Sequence, residues 1–195
     1  LKSTPIGNDP LPGMSQVFTH ISGGENMFMP DPKIDAVKPG PVGLNSIAGL
    51  LKHLPALTCL GSPTVNSYRR LWDTGFWAPV YADWGYQNRT CSVRVSAPGR
   101  VEYRSVDSSH NPYLMGAGIL KAFEDGLDNK MDPGEPEKKN IYDAMKAGKE
   151  VDKLPLTLGE AIQRLDSDDV IKSALPEDML RVFMHYKNDE WEKFL

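Results

Sequence analysis

Residues 88–113 read NRTCSVRVSAPGRVEYRSVDSSHNPY, and they place four arginines, Arg89, Arg94, Arg100 and Arg104, around one carboxylate, Glu102. In Arg100-Val-Glu-Tyr-Arg104 the side chains at 100, 102 and 104 share one face of an extended chain, because strand side chains alternate with period two. That face is Arg, Glu, Arg. The other carries Val101 and Tyr103, which suit a half-buried sheet. Arg94 ends a similar run, Cys91-Ser-Val-Arg94, so a second strand is expected to pair nearby through the turn-forming Ala97-Pro-Gly99. Two readings of the charged face stand at this point. One is a solvated ion-pair ladder, common and weak. The other is an anion and metal site, in which forked guanidiniums hold carboxylate or phosphate oxygens while the carboxylate ligates a hard cation.

Outward from this stretch, composition bounds the rest. The 195 residues are 40% hydrophobic and 25% charged, with net charge −4. Such a chain can bury one core, and it carries neither a nucleic-acid nor a membrane footprint. No apolar run reaches transmembrane length and no signal pattern opens the chain. Cys59 and Cys91 lack metal-type spacing and read as reduced, buried thiols of a cytoplasmic protein.

The first forty residues are punctuated by Pro and Gly, with a strand expected over Met14-Ser-Gln-Val-Phe-Thr-His-Ile-Ser22. Leu44 to Leu57 has amphipathic helical spacing and is expected to end near Pro55. Asn111 caps a helix with Pro112 in its first turn, and the run to Gly126 is apolar nearly all round, hence expected to be buried. A short helix is expected around Ile141–Met145 within the charged segment 132–153. Thr157 and Glu160 form a capping box for a helix to Leu165. Pro176 opens a final helix whose Met179, Val182, Phe183, Tyr186 and Trp191 are expected to pack on the body.

Ordered blocks along the chain decide between the two readings of the charged face. Ala48-Gly-Leu-Leu-Lys-His-Leu-Pro-Ala-Leu57, Pro63-Thr-Val-Asn-Ser-Tyr-Arg-Arg-Leu71, Ala78-Pro-Val80, Asn88-Arg-Thr90, Arg100-Val-Glu-Tyr-Arg104, Asn111-Pro-Tyr113 and Asp132-Pro-Gly-Glu-Pro136 follow one another in the order found in the glutamine synthetase superfamily of ATP-dependent carboxylate–amine ligases, whose C-terminal catalytic portion this chain resembles. The resemblance implies an α+β fold, with antiparallel strands forming the active-site sheet and helices packed on it, and residues 1–195 as one C-terminal part of the catalytic domain. It implies that Glu102 ligates Mg²⁺ or Mn²⁺, that Arg89 and Arg94 stabilise the transferring γ-phosphate of ATP, and that Arg104 sits by the glutamyl carboxylate, with Arg100 in support. Arg70 would hold the carboxylate of substrate glutamate. Aligned on Ser22, His20 matches a histidine beside the nucleotide phosphates, while Phe18 stands where a metal-binding histidine is expected. Trp77 replaces the glutamate that ordinarily precedes Ala-Pro. It offers a large apolar wall and a π face that suit an alkylammonium, and it resembles the γ-glutamylmethylamide synthetase branch.

The implied activity is formation of a γ-glutamyl amide from glutamate and ammonia or a small alkylamine, methylamine first, through γ-glutamyl phosphate. Members run to more than twice this length. The N-terminal β-grasp domain and the Glu-x-Glu metal-ligand strand are missing, so this stretch alone is expected to be inactive, as a fragment, one piece of a split enzyme or a degenerate paralogue. Its expected partners are further copies in a hexameric ring or dodecamer, or a chain carrying the N-terminal half. The alternative is a non-catalytic structural or regulatory subunit of the same fold.

Overall fold

The structure is a computed structural model that describes residues 13–18, 21–30, 37–71 and 78–195, with the backbone alone at 13–18, 21 and 70. Four strands form the main sheet in the order β1-β6-β5-β4: β1 Gly13–Phe18, β4 Trp84–Tyr86, β5 Val93–Ala97 and β6 Arg100–Asp107. A two-stranded ribbon, β2 Ile21–Ser22 and β3 Glu25–Asn26, turns through Gly23 and Gly24, both at positive φ as such a tight turn requires. Part of the single strand expected over 14–22 is thus split between β1 and β2, and positions 19 and 20 lie outside the described residues. The β1–β6 and β5–β6 pairings are antiparallel, whereas β4 pairs with β5 in parallel, so the sheet is mixed rather than wholly antiparallel.

Behind the sheet lies α1, Pro41–Gly61, with α2 Pro112–Asp128 alongside it. Their approach depends on two glycines. A Cβ added at Gly49 would lie 2.0 Å from the Ala122 carbonyl oxygen, and one at Gly126 would lie 2.1 Å from that of Asn45. Ile47, Leu50, Leu54 and Leu57 of α1 meet Val93, Val101, Tyr103 and Val106 of the sheet and Met115, Ile119 and Phe123 of α2 in one continuous core. That burial explains why α1 passes through Pro55 instead of stopping there. Proline removes one backbone hydrogen bond, but the following Ala56, Leu57, Cys59 and Leu60 are all buried and reward continuation. Burial also pushes the Cys59 and Cys91 thiols up to about 12, so both remain protonated free thiols.

The C-terminal helices are α3 Ile141–Lys146, α4 Leu158–Asp166, α5 Asp169–Lys172 and α6 Glu177–Phe194. Caps form where the spacing predicts them: Asn111 Oδ1 accepts from the Tyr113 and Leu114 amides at 2.9 and 3.3 Å, and Thr157 Oγ1 accepts from the Glu160 amide at 3.1 Å. Glu160 reaches back one residue further than a capping box does, to the Leu156 amide at 2.8 Å. Two amphipathic readings are corrected. Helix α2 is buried on one face only, with Leu120 63% and Tyr113 85% exposed. On α6, Phe183 and Trp191 pack on the core together with Leu180 and Met184, while Met179, Val182 and Tyr186 form an exposed stripe.

His53, 3% exposed, joins α1 to two other elements: Nδ1 lies 2.7 Å from Asp168 Oδ2 and Nε2 lies 2.8 Å from Asp125 Oδ2, which also accepts from Lys52 Nζ at 2.8 Å. Burial disfavours the imidazolium, but the two carboxylates outweigh burial and raise the pKa above its ordinary 6.5. Both ring nitrogens then donate. Burial likewise opposes the two carboxylates, and Lys52 and His53 at Asp125, and His53 at Asp168, hold them below the usual range.

Two outcomes are expected. Gly49→Ala should destabilise the fold by more than about 3 kcal/mol in denaturant unfolding, because neither backbone can retreat. The His53 contribution is fully present below its unfolded value of about 6.5 and is lost as pH rises through the raised folded value, while the aspartate contributions are lost only as pH falls through their lowered values. Melting temperature should therefore decline as pH rises above about 6.5 and through the raised folded value, and His53→Gln should flatten that decline while costing about 3 kcal/mol at pH 6, measured by thermal unfolding across the range.

Candidate active site

The charged face forms as the period-two spacing predicts. On β6, Val101 and Tyr103 are fully buried, while Glu102 and Arg104 are half-buried on the other side and Arg100 is exposed. Arg94 lies inside β5 rather than at its end, directly in register with Glu102. Its Nη1 approaches Glu102 Oε2 to 3.1 Å, with the two side chains 15% and 13% exposed. The contact is an ion pair without hydrogen-bond alignment. Arg94 Nε and Glu102 Oε2 are both buried and have no hydrogen-bond partner among the described residues. Buried polar atoms of this kind are ordinarily satisfied, and here the ion pair is the one contact they share among the described residues.

Arg104 completes the cluster. Its Nη1 donates to the Arg89 carbonyl and, at 3.2 Å, to that of Cys91. Burial lowers its pKa most; Glu102 raises it, and the Arg94 and Arg89 charges lower it again. Glu102 thus meets the Arg94 guanidinium directly, and the Arg104 guanidinium feels the charges of Glu102, Arg94 and Arg89 together. This face opens beside a cleft of about 380 Å³ lined by Tyr86, Arg89, Lys138, Lys139 and Asn140.

The turn 87–91 is tied down on every side. Gln87 takes φ 49°, uncommon for a residue with a side chain; its Oε1 accepts from Arg94 Nη2 at 3.2 Å and its Nε2 donates to the Ser96 carbonyl at 2.5 Å. Asn88 Nδ2 donates to the carbonyls of Glu137 and Lys139 at 3.2 and 2.7 Å, and Asn88 Oδ1 accepts from the Thr90 amide and hydroxyl at 3.0 and 2.7 Å. Thr90 Oγ1 in turn accepts from the Ile141 amide at 3.0 Å. Beneath this, Lys149 Nζ bridges Asp83 Oδ2 and Glu137 Oε2, both at 2.7 Å. Tyr142 donates its hydroxyl to the Ala78 carbonyl at 2.9 Å and so pins the Ala-Pro-Val block to α3.

Comparison with known proteins supplies the lineage. Residues 12–195 match the family model described as the glutamine synthetase catalytic domain. The chain belongs to the glutamine synthetase family. It is 39% identical over 198 residues to a glutamine synthetase of Pyrococcus woesei, covering 98% of this chain and 44% of that protein, and 40% identical over 194 residues to one of Thermotoga maritima, covering 93% and 42%. Its fold superposes on a GmaS–ADP complex with TM-score 0.86 at 33% identity, covering 94% of this chain and 43% of that one. The chain therefore spans less than half the length of the relatives it matches. Glutamine synthetase family members use ATP and divalent metals.

The family's expected site residues divide accordingly. Arg89, Arg94, Glu102 and Arg104 converge on one face. Ser22 is exposed on the small ribbon, in register with Glu25, and that ribbon is held to the β5–β6 turn by Asn26 Nδ2 donating to the Gly99 carbonyl at 2.9 Å. Arg70 falls in a 3₁₀ helix, Val65–Leu71, whose backbone is described there but not its side chain. His20 and Trp77 lie outside the described residues. In the strand register Val17 pairs with Glu102, while Phe18 pairs with the buried Val101. Among the described residues no group of three or more His, Cys, Asp or Glu side chains could hold a metal. Glu102, with its unsatisfied buried oxygen, fits one ligand position for a hard cation and no more.

Sequence reasoning missed Gln87, Tyr142 and Lys149 as supports of this face. The pattern Asn-x-Thr was the one legible signal, since asparagine commonly bonds the backbone two residues on. Glu102→Gln removes the only carboxylate among three guanidiniums, so inorganic phosphate should bind several-fold more tightly by calorimetry at low salt, while the protein loses about 1 to 3 kcal/mol of stability.

Proposed function

We propose that this chain is the C-terminal part of the catalytic domain of an ATP-dependent ligase that joins the γ-carboxylate of glutamate to a small amine. The observation that carries the reading is the half-buried Arg94–Glu102 pair, with the Arg104 guanidinium on the same strand face and Arg89 in the adjoining turn that holds it. Phosphoryl transfer asks for that arrangement, because the chemistry needs fixed positive charge around the equatorial oxygens and little covalent help. A γ-carboxylate oxygen of glutamate attacks the γ-phosphorus, the bond to the bridging oxygen breaks, and ADP leaves. The amine nitrogen then attacks the acyl carbon of γ-glutamyl phosphate, and phosphate departs as the amine loses its proton.

In this scheme Arg89 and Arg94 hold the transferring phosphoryl group, Arg104 orients the glutamyl carboxylate, and Arg70 grips substrate glutamate. His20 and Ser22 face the nucleotide phosphates. Glu102 provides one ligand to Mg²⁺ or Mn²⁺, whose charge would help neutralise the phosphate oxygens. The remaining ligands would come from the length of the relatives that this chain does not span, in the same polypeptide or in a partner chain, and the full site would form in a ring of copies in the cytoplasm. Trp77, set just before the pinned Ala78, would form the wall of the amine pocket. The likeness to GmaS, γ-glutamylmethylamide synthetase, supports methylamine, whereas the named glutamine synthetases support ammonia.

The test is phosphate release by the native assembly from ATP and glutamate, with methylamine against ammonium. Arg89→Lys should lower kcat by about 10²-fold or more, since a point charge replaces a fork. Trp77→Glu should move the preference toward ammonium by about tenfold in kcat/KM, a shift the size of one lost apolar contact. Absence of ADP formation with either amine would leave the structural or regulatory subunit as the reading of this fold.

A further inference from the structure

The five residues 87–91 touch every guanidinium of the phosphate face. Gln87 holds Arg94, Arg89 belongs to the turn itself, and the carbonyls of Arg89 and Cys91 hold Arg104. Asn88 fastens the turn to the 132–140 loop. Asn88 uses both amide protons on the carbonyls of Glu137 and Lys139 and both acceptor positions on Thr90, so its capacity is full. Thr90, 2% exposed, passes the restraint to the start of α3 through the Ile141 amide. The 132–140 loop is itself held by the Lys149 bridge to Asp83 and Glu137.

We infer that Asn88, with Thr90, is the positioning device of this site: it clamps the turn to the 132–140 loop and so sets the spacing of the Arg89, Arg94 and Arg104 guanidiniums for the transition state of phosphoryl transfer. The inference rests on the phosphoryl-transfer reading above. The Asn88 amide is taken up wholly by protein partners, so its effect is exerted through the arginines. A guanidinium fork displaced by about an ångström still attracts a phosphate but no longer matches the in-line geometry, which lowers kcat and spares binding.

The decisive experiment compares Asn88→Ala, Thr90→Val and Thr90→Ser in the complete native protein, with phosphate release normalised to the folded fraction. Asn88→Ala and Thr90→Val should each lower kcat by about 10- to 100-fold, with KM for ATP and glutamate changed by less than about threefold. Thr90→Ser retains the hydroxyl and should stay within about twofold of the parent. Unchanged kcat per folded molecule in the first two, with only a lower melting temperature, would overturn the inference and leave Asn88 as a loop fastener. Should Asn88→Ala fail to fold, Thr90→Val decides alone, since it deletes one hydroxyl and keeps the shape. Arg89→Lys in parallel separates the two readings: a drop there with no kcat change at Asn88 and Thr90 sinks only this inference, whereas no drop at Arg89 sinks the phosphoryl-transfer reading beneath it.

Discussion

The structure turns on one cross-strand pair, Arg94 with Glu102, and on the shortage of negative charge around it. Two antiparallel neighbours in register would ordinarily neutralise each other. Here Arg104 lies on the same strand face, and its lowered pKa records its burial and the repulsion of Arg94 and Arg89 against the attraction of Glu102. An excess of half-buried positive charge is destabilising unless it is held from outside. The surroundings of the face are arranged to do so. The guanidinium hydrogens of Arg104 end on main-chain carbonyls and Arg94 Nη2 on a neutral amide, and among the described residues Glu102 is the carboxylate ion-paired to Arg94.

That requirement reaches into the scaffold. Carbonyls that must hold a guanidinium have to be rigid, and 87–91 is held both by loop 132–140 with helix α3 and by strand β5. The sheet in turn sits on α1, whose C-terminal Gly61 would bring a Cβ within 2.7 Å of the Ser105 carbonyl oxygen at the end of β6. Close approach of α1 to α2 through Gly49 and Gly126 fixes the far side of the same core. The buried His53 bridge lies on that far side. It is a purely structural polar network, and its titration would alter global stability without entering the charged face.

How far the amino-acid sequence could be read varies with the physics of each feature. The Arg-Glu-Arg face was legible because period two is a local property of the chain, and so were Asn111 and Thr157, whose caps involve neighbours within three residues. Helix α1 was misjudged at Pro55, since the burial that overrides a proline is tertiary. The stripe Met179, Val182 and Tyr186 follows helical spacing as well as the packed stripe does, and spacing does not say which of two apolar stripes meets the core. Most of the site's supports were invisible for the same reason. Glu137 and Lys139 meet Asn88 across about fifty residues through main-chain carbonyls, which every residue possesses.

The register between β1 and β6 changes the chemistry that position 18 was taken to govern. A phenylalanine in place of a ligand histidine would suggest a single lost donor. Opposite Glu102 the chain instead carries Val17, and two positions earlier Ser15, within the irregular stretch between Met14 and Gln16. Valine has no donor atom for a cation, and a serine hydroxyl is a weak one beside imidazole or carboxylate. The strand opposite Glu102 thus offers no strong cation ligand at position 17 or 15, whatever stands at position 18. Arg94 and Arg104, on the same face as Glu102, are held from the turn 87–91, and the restraints of the face converge there.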